Sequence, residues 1–185
     1  MACLRFNQEV TSACRNSQPG VATVYLANFD AITSFTTNTA GTILSGLTAS
    51  GETGTSSKAF YQLAQNKNSA ILLDTASINI SNGTAVSKPK LTIKLQGLTE
   101  EVITVYKELL QASVVAVVKT IDAKYYAIGF NNGLDAITAT LGTEAASDGF
   151  KGATFELEGI ESSPFYLIDD SAGGIGSTFV TTYVV

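Results

Sequence analysis

No histidine occurs anywhere in this chain of 185 residues. That removes the commonest general base, the commonest neutral metal ligand and the usual switch near neutral pH. Ser–His–Asp and Cys–His arrangements cannot be built within it. Tryptophan is missing as well, so a sugar-binding surface would lack the largest aromatic face. Charged residues make up only 15% of the chain, against about a quarter in an average soluble protein. The net charge of −5 (11 − 16) argues against a basic footprint for tight nucleic-acid binding. Two cysteines, Cys3 and Cys14, make a poor zinc set without histidine, and free thiols in a reducing compartment are expected. The longest apolar run, Val114–Val118, is far too short to span a bilayer. Met1–Val10 carries Arg5 and Glu9 and no apolar centre, so no secretory leader is expected.

Thr, Ser, Gly and Asn take the place of the missing charge, while apolar residues still reach 45%. That is enough to fill one core. An uncharged polar surface is unusual for a free monomer, which relies on charge for solubility. It suits a subunit covered by neighbours. The length fits one domain, residues 1–185.

Most of the chain reads as strands. Val21–Phe29 alternates with apolar residues on both faces, so both sides should be covered. Phe60–Leu63 is a short strand and Asn68–Ile80 holds one or two. Asn82–Gly83 marks a turn, since both residues tolerate positive φ. In Lys90–Gln96, Leu91, Ile93 and Leu95 face one way and Thr92, Lys94 and Gln96 the other, the pattern of a half-buried strand. Val114–Thr120 and Lys124–Phe130 form a hairpin, Asn131–Gly133 turns the chain, and Ala136–Leu141, Phe150–Glu161, Phe165–Ile168 and Thr178–Val184 complete the set of strands. Thr99–Gln111 is the one helix. Thr99 caps it, Glu100 and Glu101 complement its dipole, and Val102, Val105, Tyr106, Leu109 and Leu110 form an apolar stripe. Residues 36–58 differ in texture: Thr, Ser and Gly dominate, with Ile43, Leu44 and Leu47 as the large apolar anchors. Such a stretch buries too little to fold alone, and it reads as an extended loop or an arm ordered by a partner. Thr42, Ile43, Leu44, Leu47 and Thr53 are its candidate subunit contacts.

Candidate chemistry is sparse. Gly173–Ser177 lacks the spacing, the lysine and the following helix of a phosphate loop, and reads as a flexible link. Asp169–Asp170 offers too few oxygens for a calcium loop. Glu156, Glu158 and Glu161 recur near a strand end, where paired carboxylates could serve glycoside chemistry, but Glu156 and Glu158 share one strand face. Tyr125, Tyr126, Phe130, Phe150 and Phe155 lie at strand spacing, which favours core filling over base stacking. No enzyme, cofactor or metal is expected.

The run Val114–Val118, Lys119, then Lys124–Leu134 (KYYAIGFNNGL) resembles part of the bacteriophage tail tube, or major tail protein, pattern. Asp148–Glu161 (DGFKGATFELEGIE) is similar to the long strand that follows in that family, and Pro19–Phe29 (PGVATVYLANF) to its openings. The resemblance covers about half the chain. It implies a mainly β fold, a β-sandwich or open barrel with one flanking helix. It also implies hexameric rings stacked into a hollow tube, assembled in the host cytoplasm and built into the virion tail. Partners would be copies of the chain, other tail proteins, and double-stranded DNA passing through the lumen without sequence-specific binding. A lumen lined by some of Glu52, Asp122, Glu144, Asp148, Glu156 and Glu158 would repel the duplex. A head–tail connector ring of the same fold and a β-sandwich carbohydrate-binding module are the alternative readings.

Overall fold

The computed structural model describes residues 19–51, 58–63, 69–144, 149–169 and 175–184. Two sheets face each other. The larger has seven strands: β1 (Val21–Asn28), β2 (Ile32–Thr37), β3 (Ile43–Ala49), β4 (Tyr61–Leu63), β7 (Val114–Thr120), β8 (Tyr125–Ile128) and β11 (Tyr166–Ile168), in the order β2-β3-β11-β8-β7-β1-β4. The smaller has four: β5 (Ile71–Asn79), β6 (Thr84–Gln96), β9 (Asp135–Thr143) and β10 (Lys151–Glu158), in the order β5-β6-β10-β9. The mainly β, sandwich-like architecture with a flanking helix is therefore what the chain adopts.

Alternation makes the first core. Leu91, Ile93 and Leu95 of β6 are buried, as are Ala153, Phe155 and Leu157 of β10. They meet Val21, Val24 and Leu26 of β1 and Val114, Ala116 and Val118 of β7 across the sandwich. Helix α1 (Glu100–Leu109) closes the side of this core. Thr99 Oγ1 accepts the Val102 N–H at 3.4 Å. Val102, Val105, Tyr106 and Leu109 pack inward, and the Tyr106 ring lies 5.6 Å from that of Phe155. Leu110, at the C-cap of α1, departs from the expected stripe and is half exposed.

β1 is covered on both faces, as its pattern requires. Its other side, with Tyr25 and Ala27, joins a second core that includes Leu44, Leu47, Phe60, Val115, Val117, Tyr125, Phe130, Tyr166 and Phe179. Burial of Tyr25, and then the nearby Tyr125, raise its hydroxyl pKa above the usual 10.0, against the opposing pull of Lys119 and Thr23.

Two expectations fail here. Thr178–Val184 is not a strand: helix α2 (Ile175–Tyr183) occupies that stretch. Its β-branched residues suit a strand, but Phe179 and Tyr183 stand four apart and so share one helical face. Phe179 is fully buried, with its ring centroid 5.4 Å from Tyr25, 5.1 Å from Phe60 and 5.9 Å from Tyr125. Covering that aromatic cluster outweighs a propensity difference of about half a kcal/mol per residue.

Nor do residues 36–58 form an extended arm in their described part. Thr36 and Thr37 end β2, and Ile43–Ala49 is β3, antiparallel to β2 and parallel to β11. Asn38 shapes the turn between them, its Oδ1 accepting the N–H groups of Thr42 (2.9 Å) and Ile43 (3.1 Å). Leu44 is fully buried and Leu47 nearly so. These two anchors therefore serve the chain's own core and are not exposed for a neighbour. Thr42 is exposed in the turn and Ile43 half-buried in β3. Thr53 lies outside the described residues.

Candidate subunit interface

Among the described residues, β5 pairs only with β6 and β9 only with β10. Each is nine residues long. The small sheet thus ends on both sides in a long strand, and an edge strand presents a row of unpaired N–H and C=O groups.

The orientation of those groups follows from Ser87. Its N–H donates to Glu161 O at 2.9 Å, and Glu161 N–H donates back to Ser87 O at 2.8 Å. Ser87 therefore turns its backbone groups away from β5. Its β5 partner, Ala76, must turn its own away from β6. By the period of two, the N–H and C=O groups of Leu72, Asp74, Ala76 and Ile78 point to the open edge. Pro89, opposite Asp74, fits this register because its missing donor would face away from β5, toward Gly159, where β10 has ended. β5 contains neither lysine nor proline, two of the residues that commonly blunt an edge.

Beyond Asp74 the β5–β6 hairpin leaves the body of the sheet. Every residue from Thr75 to Ala85 is exposed. Ile78 is 69% exposed and Ile80, in the turn, 90%. Gly83 closes that turn at φ +63°, where the Asn–Gly signal placed it. No residue between Thr75 and Ser87 is charged. At the opposite edge β9 bulges: Thr138 pairs with Glu156 and Ala136 with Leu157, and the skipped Ile137 is half exposed.

The solvent face of the small sheet is set by the same register. Lys90, Thr92 and Lys94 alternate with buried Leu91, Ile93 and Leu95. Lys88 shares their face, as do Thr154, Glu156 and Glu158 of β10 and Asp135 of β9. Lys90 Nζ lies 2.8 Å from Glu156 Oε2, and the Lys94 ammonium lies 5.8 Å from the centre of the Phe150 ring. Three lysines stand here against three carboxylates, so the face is balanced, not negative.

The other sequence candidates scatter. Asp122 sits in the β7–β8 turn and accepts the Thr120 hydroxyl. Glu144 accepts the Phe150 N–H at 3.1 Å. Glu161 parts from Glu156 and Glu158: it is buried, and its two carboxylate oxygens accept the N–H groups of Asn131 (3.2 Å) and Asn132 (3.1 Å). It ties the 129–133 turn to the end of β10. Gly133 needs its φ of +81° there, and a Cβ would strike the Ser113 hydroxyl. Tyr125, Phe130 and Phe155 are core residues, while Tyr126 and Phe165 meet edge to face at 5.4 Å. Asp169 caps the approach to α2, its carbonyl accepting the Gly176 N–H at 2.8 Å. Glu52, Asp148, Asp170, Gly173 and Gly174 lie outside the described residues, as do Cys3 and Cys14. Among the described residues there is no group of three or more His, Cys, Asp or Glu placed to hold a metal. No helix among them is long and apolar enough to cross a membrane.

A groove of about 680 Å³ opens between α1 and the β1–β4 edge. Leu26, Leu63, Val105, Leu109, Ala112 and Val114 give it apolar walls, and Glu108 is its one charged residue. The sequence did not point to it, because its walls come from three separate stretches.

No protein-family model, curated protein or solved structure matches this chain.

Proposed function

We propose that this chain is a structural subunit that completes its small sheet by joining copies of itself edge to edge in a closed ring. We further propose that the ring is a segment of a phage tail tube, a virion part assembled in the host cytoplasm and serving as a passive conduit for DNA. The resemblance of Val114–Leu134 and Asp148–Glu161 to major tail proteins supplies the second half of that reading.

The observation that carries it is the pair of nine-residue edges, β5 and β9, left open among the described residues on one antiparallel sheet. Strand directions alternate across β5-β6-β10-β9. A rotation that sets β9 of one copy beside β5 of the next therefore makes an antiparallel junction, interrupted at the Ile137 bulge of β9. Such head-to-tail contacts close into rings when the rotation permits.

Tilt decides the register of that junction. Asp135 stands level with Glu158, Lys90 and Leu73 of its own chain. Strands in a closed barrel tilt by about 35–45°. With a rise of about 3.3 Å and a spacing of about 4.8 Å, that tilt requires a stagger of roughly four to six residues over four strands. Taken in the direction that keeps the two strands paired, the stagger slides Asp135 of the next copy from the level of Leu73 to that of Ser77–Asn79. The two strands then overlap through most of their length. Six copies of a four-stranded sheet would give about 24 strands and a barrel roughly 50 Å across, wider than the porins that already hold an aqueous channel. The solvent face, polar except for the exposed Ile71 and Leu73 of β5, would line it, and its balanced lysines and carboxylates would neither grip nor strongly repel a duplex.

Negative-stain microscopy and light scattering of the purified chain test this. Rings or tubes are expected at high concentration. A strictly monomeric species at every concentration refutes it. A head–tail connector ring would give rings that never stack.

A further inference from the structure

We propose that the exposed end of the β5–β6 hairpin docks in the α1–β4 groove of the next copy, Ile78 serving as the seated side chain. The inference rests on the ring reading above and adds a second contact to it.

Placement argues for it. Ile78 shares a strand face with Leu72, Asp74 and Ala76, and Leu72 packs into the first core. Ile78 therefore points to the core side of the sheet, but past the point where its own chain has a core to offer, and 69% of it stays exposed. The hairpin and the groove lie at one end of the sandwich. Ser87 at the hairpin base bridges to Glu161, Glu161 holds Asn131 and Asn132, and Leu134 bridges to Val114 in the groove wall. They lie at opposite edges of the small sheet, however. The hairpin rises from β5, whereas α1 packs beneath β9 and β10, with the Tyr106 hydroxyl 3.4 Å from Ala139 O. Bringing β9 of one copy against β5 of the next carries the neighbour's hairpin to the groove, on the side of the sheet toward which Ile78 faces. Only a second copy is delivered there by the same junction.

The chemistry fits. The hairpin from Thr75 to Ser87 carries no charge, and the groove has a single charged residue, Glu108, with the amides of Asn28, Gln62 and Gln111 beside its apolar walls. An apolar patch that complements a pocket elsewhere on the same molecule makes a head-to-tail contact, the kind a ring requires.

The test places photoreactive p-benzoylphenylalanine at position 78 of the full chain, followed by irradiation of the assembled protein and mass spectrometry of the linked peptides. The expected adduct joins residue 78 to residues 105–114 or 61–63 of another copy. In parallel, Ile78→Asp is expected to raise the concentration needed for assembly by about tenfold or more without lowering the melting temperature of the monomer, where Ile78 is already wet. Assembly of the wild-type chain with the adduct elsewhere, or an unchanged threshold for Ile78→Asp, overturns this docking and leaves the ring reading standing. A wild-type chain that never assembles overturns the ring reading, and the docking with it.

Discussion

Under the ring proposal, replacing Ala76 by proline separates assembly from folding by a single hydrogen. Ala76 turns its N–H to the open edge of β5, because its partner Ser87 spends both backbone groups on Glu161. Proline there removes no bond of the β5–β6 ladder, and edge positions with the N–H toward solvent are where strands tolerate it. In a ring the loss is larger. Leu72, Asp74, Ala76 and Ile78 together offer two groups each to a neighbouring β9, up to eight hydrogen bonds, at roughly 0.5–1.5 kcal/mol net apiece. A junction is thus supported by about 4–12 kcal/mol of pairing. Proline deletes one of these and leaves the facing carbonyl dry and unpaired, which costs about 1–3 kcal/mol more. A total of about 1.5–4.5 kcal/mol corresponds to roughly a 10- to 1,600-fold weaker junction, at about 1.4 kcal/mol per tenfold. Sedimentation velocity across a concentration series reads the shift, and circular dichroism of the dilute monomer should show its melt nearly unchanged. Ser77→Pro is the matched control, since its N–H points to Val86 in β6 and its loss should weaken the hairpin itself. Assembly of Ala76→Pro at the wild-type threshold would refute the edge-pairing argument. So would a monomer melt lowered as much as by Ser77→Pro, which would show that the register has been misread.

Four further outcomes are expected. Phe179→Ala empties a fully buried site among three aromatic rings and should cost about 3–5 kcal/mol, a fall in melting temperature of roughly 6–20 °C; a shift under about 2 °C would mean that α2 does not seal the second core. Glu161→Gln keeps one acceptor for two N–H groups and should destabilise by about 1–3 kcal/mol, read by urea denaturation with an unchanged slope. Tyr25 titrates above the ordinary tyrosine range when folded, so its contribution is complete below pH 10 and is lost as pH rises through the folded value; Tyr25→Phe should flatten the fall in melting temperature on the alkaline side and leave the neutral value little changed. Deleting Gly41–Ser57 removes β3 from between β2 and β11, together with buried Leu44 and Leu47, and should unfold the chain; a deletion variant with a native near-ultraviolet spectrum would contradict the position of β3.

What could be read from the sequence was what neighbours in the chain decide for each other. Leu91, Ile93 and Leu95 alternate with polar residues, and burial follows the alternation because a strand can hide only one face when the other is wet. Thr99 and the two glutamates after it mark a helix start wherever the helix lies. The failures share a cause of the opposite kind. β3 holds its place through a parallel pairing with β11, more than a hundred residues away, and its Thr–Gly–Ser texture conceals that partner. Gly46 reads as loop chemistry, yet in the fold it admits the Thr36 hydroxyl where a side chain would collide. α2 is helical because Phe60, Tyr25 and Tyr125 leave an aromatic hollow for Phe179, and that hollow belongs to three distant segments.

Residues 36–58 and the segment that projects differ in what encloses them. Low burial per residue, the property used to nominate residues 36–58, measures how little a segment contributes to a core. It does not measure whether other strands enclose it. The segment that projects, Thr75–Ala85, has an ordinary alternating pattern with Ile78 and Ile80 among its polar residues, and such a pattern predicts burial on one side. The burial is missing in the single chain. Under the ring proposal, the covering layer comes from a neighbouring copy. Ile78 presents its apolar side where its own molecule ends, which is why the open edge and the projecting hairpin are best read as two parts of one surface.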